Sequence, residues 1–403
     1  PLALLVIDKF YNTKKFRYLI ILSLNIPLSF FSGHFQISLY FLAGAILFIM
    51  LRGLAAKTIH NTFYIILSTV VGTLLSLPQI LSSMELYSNS VRSELFQLGE
   101  AIPFQYLITI ISPDFFGNPV TRNDWFGHYA EWAGFIGILP LFLAIFAIIK
   151  FKVQSFDKAQ DRSSKFKVII GFFTALGFIS LILAVNSPLS SALVSLKIPV
   201  LSTSALSRII VLFSFSFAVL AGFGFDRLVR EIRGVGDVRG IKELIIVFAL
   251  SGLFFVSVWL LLYFGNIYPV EWLIVAKRNF ILPTALFIGG AVVVFIAIKN
   301  KRFIILLAFY FLLLTSFDAF RFASKWMPFD PAQLVYPEVP IIEAIKKNIG
   351  NSRIYGNLGA EVTTYYGFPS LEGYDPLYIG RYGEFIRGAA NGEFLKGERS
   401  VVK

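Results

Sequence analysis

Residues 226–264 read DRLVREIRGVGDVRGIKELIIVFALSGLFFVSVWLLLYF, eighteen positions with five basic side chains followed by twenty-one with no charge. A helix rises about 1.5 Å per residue, so the charge-free half is long enough to cross a hydrocarbon core of roughly 30 Å. The charged half is the connection that precedes it. The same pairing recurs along the chain and predicts spans at about 18–32, 36–51, 60–82, 132–149, 168–185, 208–225, 244–264, 280–298 and 303–320.

Connections 8–17, 52–59, 150–167, 226–243 and 299–302 then fall on one side, with twenty basic against seven acidic residues. Loop 83–131 falls on the other side, with six acids and only Arg92 and Arg122 as cations. The positive-inside rule puts the basic set in the cytoplasm and places loop 83–131 and the tail 321–403 outside. Cysteine reporters at Ser88, Ser191 and Ser352 are therefore expected outside, and those at Ser155 and Val235 inside. The expected fold class is an all-α polytopic membrane protein of about nine complete transmembrane helices plus a partial one. Residues 1–320 form the bundle and 321–403 a small extracytoplasmic α/β region.

Composition agrees: 56% of residues are apolar, 16% aromatic and 15% charged, too greasy for a soluble chain of this length. The net charge of +12 is met by anionic lipid headgroups at the cytoplasmic collar, so the bilayer is the expected partner and nucleic acid is not. Cysteine is absent, which removes disulfides and thiolate metal sites. Only His34, His60 and His128 supply imidazole, and their spacing supports no metal site; no metal or cofactor is expected. Segment 234–240 is one residue longer than a dinucleotide fingerprint, follows no strand, and reads as a solvated loop. Pro1 is not an initiator Met, and Pro1–Ile7 reads as the end of a hydrophobic helix, so the chain is expected to be a fragment.

Chemistry concentrates on the acidic side. Ser32-Gly33-His34 makes a tight turn between two short spans, and Asn25 and Pro27 weaken the helix before it, as expected beside a cavity. Phe104–Ile111, bracketed by Pro103 and Pro113, predicts an interfacial helix, after which turn residues bring Asp114 back over the bundle mouth. Trp125, Tyr129 and Trp132 surround His128 and Glu131; the tryptophans are interfacial anchors or a platform for a sugar ring. Glu131 is either a helix-start acid or a partly desolvated carboxylate whose pKa rises toward the range of a proton acceptor. Arg208 opens an inward-running span, where a cation opposes the helix dipole; a bound phosphate would explain it, and so would snorkelling to lipid. In the tail, Ile341–Ile349, Glu361–Tyr366 and Tyr378–Ala390 predict helices and Ser352–Tyr355 a strand. Tyr374 and Asp375 lie between them, in a docking turn or the lip of a cleft.

Five motifs occur in one order: Ser32-Gly33-His34-Phe35-Gln36, Pro113-Asp114-Phe115-Phe116-Gly117-Asn118-Pro119, Glu131-Trp132-Ala133-Gly134-Phe135-Ile136-Gly137, Ser207-Arg208 with Ala221-Gly222-Phe223-Gly224-Phe225-Asp226, and Gly373-Tyr374-Asp375-Pro376. Over about residues 1–395 the chain resembles the YfhO-like family of bacterial membrane proteins. That family is similar to the GT-C glycosyltransferases, which transfer a sugar from a polyprenyl-phosphate carrier to an acceptor on the outer face of the membrane. The resemblance implies a bacterial inner (cytoplasmic) membrane protein with an envelope glycopolymer or lipid as acceptor. It implies Asp114 and Glu131 as catalytic carboxylates, and His34, Arg208, Trp125, Tyr374 and Asp375 as substrate-binding residues. GT-C enzymes usually carry a key acid in the first external loop, which would precede Pro1, so this chain alone is expected to bind without turning over. A lipid or oligosaccharide transporter and a noncatalytic envelope scaffold are the alternatives. A transporter should hold charges at the membrane midplane, whereas Asp318 lies near the external end of its span.

Overall fold

The computed structural model describes the whole chain except residues 95–100, 155–160, 235–238, 327–328, 357, 376, 398–400 and 403. Ser155, Val235, Pro376 and most of the glycine-rich segment 234–240 lie outside the described residues.

Helix α1 (Leu2–Thr13) packs on α2 (Arg17–Phe31), which turns into α3 (Phe35–Ala56) through Gly33 at φ 90°, a left-handed conformation suited to glycine. Predicted span 60–82 is two helices, α4 (Ile59–Leu75) and α5 (Leu77–Ser88), bent by 57°. The cause is Pro78, whose ring clashes with the preceding turn and whose nitrogen cannot donate. The hydrogen-bond ladder restarts from the Ser76 carbonyl, which accepts from Gln79 and Ile80.

Helix α6 (Ile138–Gln154) begins later than the predicted 132, because Gly134 and Gly137 lie in an extended entry and Gly137 has φ 95°. Then follow α7 (Asp161–Ala184), α8 (Pro188–Ser195), α9 (Ile210–Arg233), α10 (Arg239–Phe264), α11 (Val270–Lys299) and α12 (Ile304–Trp326). The core is the α6–α9 pair, sealed by Phe146, Phe213 and Phe217. Gly224 makes their approach possible, since a Cβ there would come 2.0 Å from the Leu143 carbonyl oxygen.

Six of these helical segments are long and apolar enough to cross a membrane, seven if the bent pair is one span. The shorter apolar helices Arg17–Phe31 and Ile138–Ile149 occupy the other two predicted positions. Two basic connections are tied to neighbouring elements: Arg52 pairs with Asp8 at 2.7 Å, and Lys301 Nζ donates to the Arg233 carbonyl at 3.2 Å. In loop 83–131, Ile102 bonds the chain leaving α7 through Ala184 and Asn186.

The tail contains α13 (Ala332–Val335), α14 (Pro340–Asn348), α15 (Ala360–Tyr366) and α16 (Gly380–Asn391). Strands β1 (Gly373–Tyr374) and β2 (Val401–Val402) pair antiparallel. The predicted strand 352–355 is a single bridge, Ile354 to Ser370. The tail docks where Gly380 N donates to Asn89 O at 2.9 Å and Val91 N to Tyr378 O at 3.3 Å.

Candidate functional site

A cavity of about 520 Å³ opens at the acidic-loop end, between the α2–α3 turn, α5 and segment 199–208. His34, Gln36, Arg92 and Arg208 supply its polar wall, and no carboxylate occurs among its described lining residues. Arg208 sits in a 3-10 turn, Leu206–Ile209, that leads into α9. Its Nε donates to Glu131 Oε1 at 2.6 Å, Nη2 contacts the same oxygen, and Nη1 is 3.4 Å from Gln36 Oε1. The buried Gln36 amide is fixed in turn, donating to Ala205 O at 2.7 Å and to the Tyr40 hydroxyl at 2.8 Å. Glu131 therefore aims the guanidinium, and the edge nearest Gln36 borders the cavity. Arg92 is held by donation from Nε to the Thr203 carbonyl at 2.9 Å.

The cationic field acts on His34. Burial, and then the Arg208 guanidinium, push its imidazole below the ordinary value, with Arg92 adding to the effect. Opposite it the backbone is strained: Lys197 (φ 51°) and Val200 (φ 67°) are left-handed within four residues, and Val200 lines the cavity. A β-branched residue there is a true outlier of the kind that gathers at binding sites.

Asp114 occupies a separate cluster and is only 3% exposed. One carboxylate oxygen accepts from Tyr129 at 2.6 Å, the other from Arg321 at 2.5 Å and from Lys325. Its backbone carbonyl accepts from Asn279 Nδ2 at 2.5 Å. Burial raises the pKa of this carboxyl, but the bonds from Lys325, Tyr129 and Arg321 together overcome that and hold it below its ordinary value. The Tyr129 phenol moves up instead, through burial and the adjoining carboxylate. Asp318 adds a second anion 3.7 Å from Arg321. The arrangement latches loop 83–131 to α11 and α12.

Predicted interfacial helix 104–111 is a 3-10 turn, Phe104–Ile110, drawn inward because Tyr106 stacks on Phe116 at 5.2 Å. Trp125 stacks on Trp272 at 4.4 Å, its edge packs against Phe116 and Tyr268, and its buried Nε1 meets no hydrogen-bond partner among the described residues. His128 packs edge-on against Trp132 at 4.9 Å. Tyr374 is exposed, and Asp375 Oδ1 caps its turn by accepting from Leu377 N at 2.7 Å. Leu377 itself lines the cavity.

The fold thus brings His34, Arg208 and Glu131 together, with Leu377 at the cavity's lip. Asp114 and Trp125 sit in the latch and the aromatic cluster. Sequence reasoning missed Gln36, Arg92 and Val200. Arg92 carried a signal, as one of two cations in an acidic loop, and Gln36 closed the Ser32–Gln36 motif; Val200 carried none. The anion beside Arg208 in this structure is Glu131, where the sequence invited a phosphate.

Fold and site define a class: a multi-pass, predominantly helical membrane protein with a cation-lined cavity at one end of its bundle. Comparison with protein-family models, curated proteins and solved structures gives no match.

Proposed function

We propose that the protein is a membrane glycosyltransferase, or part of one, that moves a sugar from a polyprenyl-phosphate carrier to an envelope glycopolymer or lipid on the outer face of the bacterial inner membrane. The carrying observation is the cavity, where two arginines and no described carboxylate line a space beside Glu131. Guanidinium binds phosphate oxygens through paired donors, and the Arg208 edge left by Glu131 is available for that contact. Glu131 takes the base role: both Arg208 contacts fall on Oε1, and Oε2 meets no partner among the described residues. An acceptor hydroxyl lends its proton to Oε2 while its oxygen attacks the anomeric carbon, and the carrier phosphate leaves stabilised by Arg208. Asp114, with both oxygens engaged, positions the loop.

In this reading the bent α4–α5 pair forms one span and the two short apolar helices also cross the bilayer. The count is then nine spans, the cavity is extracytoplasmic, and the tail forms its outer lip.

Vesicles containing the full-length protein, a polyprenyl-phosphate carrier with labelled sugar, and envelope acceptors test the proposal. Label should move to the acceptor and stay on the carrier with Glu131→Gln. Labelled carrier crossing the bilayer with its sugar intact would instead establish the transporter alternative.

A further inference from the structure

A second recess lies along α3 on the membrane side. It measures about 450 Å³ and runs between Leu42–Met50 of α3 and Thr62–Leu74 of α4, with no charged residue in its described lining. Its threonines turn their hydroxyls back on their own helix: Thr62 donates to Thr58 O, Thr69 to Ile65 O and Thr73 to Thr69 O, at 2.9 to 3.0 Å. The groove therefore presents methyl groups, and Ile46, Met50, Val70 and Leu74 remain exposed on its rim.

Register connects this groove to the cavity. Phe35 lines the cavity, and Leu42 and Ile46 line the groove. Intervals of seven and four residues put the three on one face of α3, with about 10 Å of helix between Phe35 and Leu42. The other wall passes from α4 to α5 through the 57° bend, and α5 supplies Ser83, Met84 and Tyr87 to the cavity. An apolar channel is thus aligned with a cationic head site along one pair of walls.

We infer that the α3–α4 groove seats the hydrocarbon tail of the phosphate-bearing lipid whose headgroup enters the cavity, so that the carrier arrives sideways from the bilayer. The inference rests on the phosphate reading of the cavity. Charge complementarity identifies the occupant: only an amphiphile with an anionic head and a long apolar tail satisfies both recesses. The groove between α10 and α11 is a contrast of similar size, about 480 Å³ and equally apolar. It is lined by Leu244, Ile245 and Ile298, within three residues in sequence of Lys242 or Lys299, and neither of its helices contributes a lining residue to the arginine-lined cavity.

Binding in nanodiscs separates tail from head. A long-chain polyprenyl phosphate and a water-soluble short-chain alkyl phosphate are titrated against the parent, Ile46→Trp, Val70→Trp and the contrast variant Ala291→Trp. Groove-filling variants should weaken the long-chain ligand at least tenfold and leave the short-chain one unchanged, which also certifies their fold; Ala291→Trp should change neither. Parental long-chain affinity in Ile46→Trp and Val70→Trp would overturn the groove assignment and leave the phosphate site standing. Failure of the parent to bind either phosphate would overturn both. Photolabelling of the unmodified protein with a polyprenyl phosphate bearing a diazirine on its tail needs no variant. Adducts should map to 42–50 and 62–74 and be competed by unlabelled lipid. Adducts spread equally over 287–298, or not competed, would contradict the inference.

Discussion

Arg208 and Glu131 are joined by one carboxylate oxygen: Oε1 accepts from Nε at 2.6 Å and also contacts Nη2, across seventy-seven residues of sequence. The contact ties the start of α9 to the end of the long acidic loop. Their side chains are 31% and 36% exposed, so the pair contributes on the order of 1 kcal/mol or less to stability. Its consequence is orientation of the guanidinium.

Glu131→Gln should therefore leave the unfolding midpoint almost unchanged while sugar transfer falls by about 10²–10⁴-fold, the range expected for loss of a general base. Thermal unfolding and transfer measured on the same preparation of the full-length protein check this. A large stability loss with transfer retained would make Glu131 structural.

The Asp114 latch behaves in the opposite way. Asp114→Asn strips a buried carboxylate from Arg321 and Lys325 and should cost about 3–5 kcal/mol, with the loop becoming protease-sensitive. The Asp114 pKa is depressed in the fold, so its contribution is complete above the ordinary value of 3.8 and is lost as pH falls through the folded value. Limited proteolysis of the loop should thus be flat from neutrality down to the ordinary carboxylate range and rise only in stronger acid. An Asp114→Asn protein with parental stability would remove the latch from the account.

The positions of the long apolar helices were legible because hydropathy is a local property. The bend at Ser76 was hidden: a proline mid-run reads as a tolerable kink until the path of the next helix is known. The site was half legible. Arg208 stood out by its awkward place at a helix start, yet its partner Glu131 lies in a distant loop that no periodicity connects to it. Asp114 drew notice as an acid over the bundle mouth, but Arg321 and Lys325, which engage it, read only as the first charges of a soluble tail.

His34 should report ligand charge. Its imidazole is depressed by burial and by Arg208, so it is neutral at pH 7, and folding stability should fall as pH drops from its ordinary value of 6.5 toward the folded value. A bound phosphate offsets the arginine field and raises the imidazole pKa, so phosphate affinity should increase as pH falls across that window. Titrations of binding against pH check this, and His34→Gln should flatten the profile. Affinity that weakens on acidification in this window would contradict it.

Trp125 should prove dispensable for recognition. One ring face is stacked on Trp272 at 4.4 Å, so Trp125→Phe should change carrier binding less than about twofold. Loss of sugar discrimination in that variant, measured by competition between carriers with different sugars, would return Trp125 to the site.

Equilibrium binding of a polyprenyl-phosphate sugar in nanodiscs reads whether the cavity holds a lipid-linked phosphate through Arg208. Arg208→Ala should weaken binding at least tenfold, and Arg208→Lys should restore only part of it, because an ammonium cannot reproduce the paired donors of guanidinium. Binding of the carrier by Arg208→Ala at parental affinity would contradict the account and leave Arg208 as the partner of Glu131 alone.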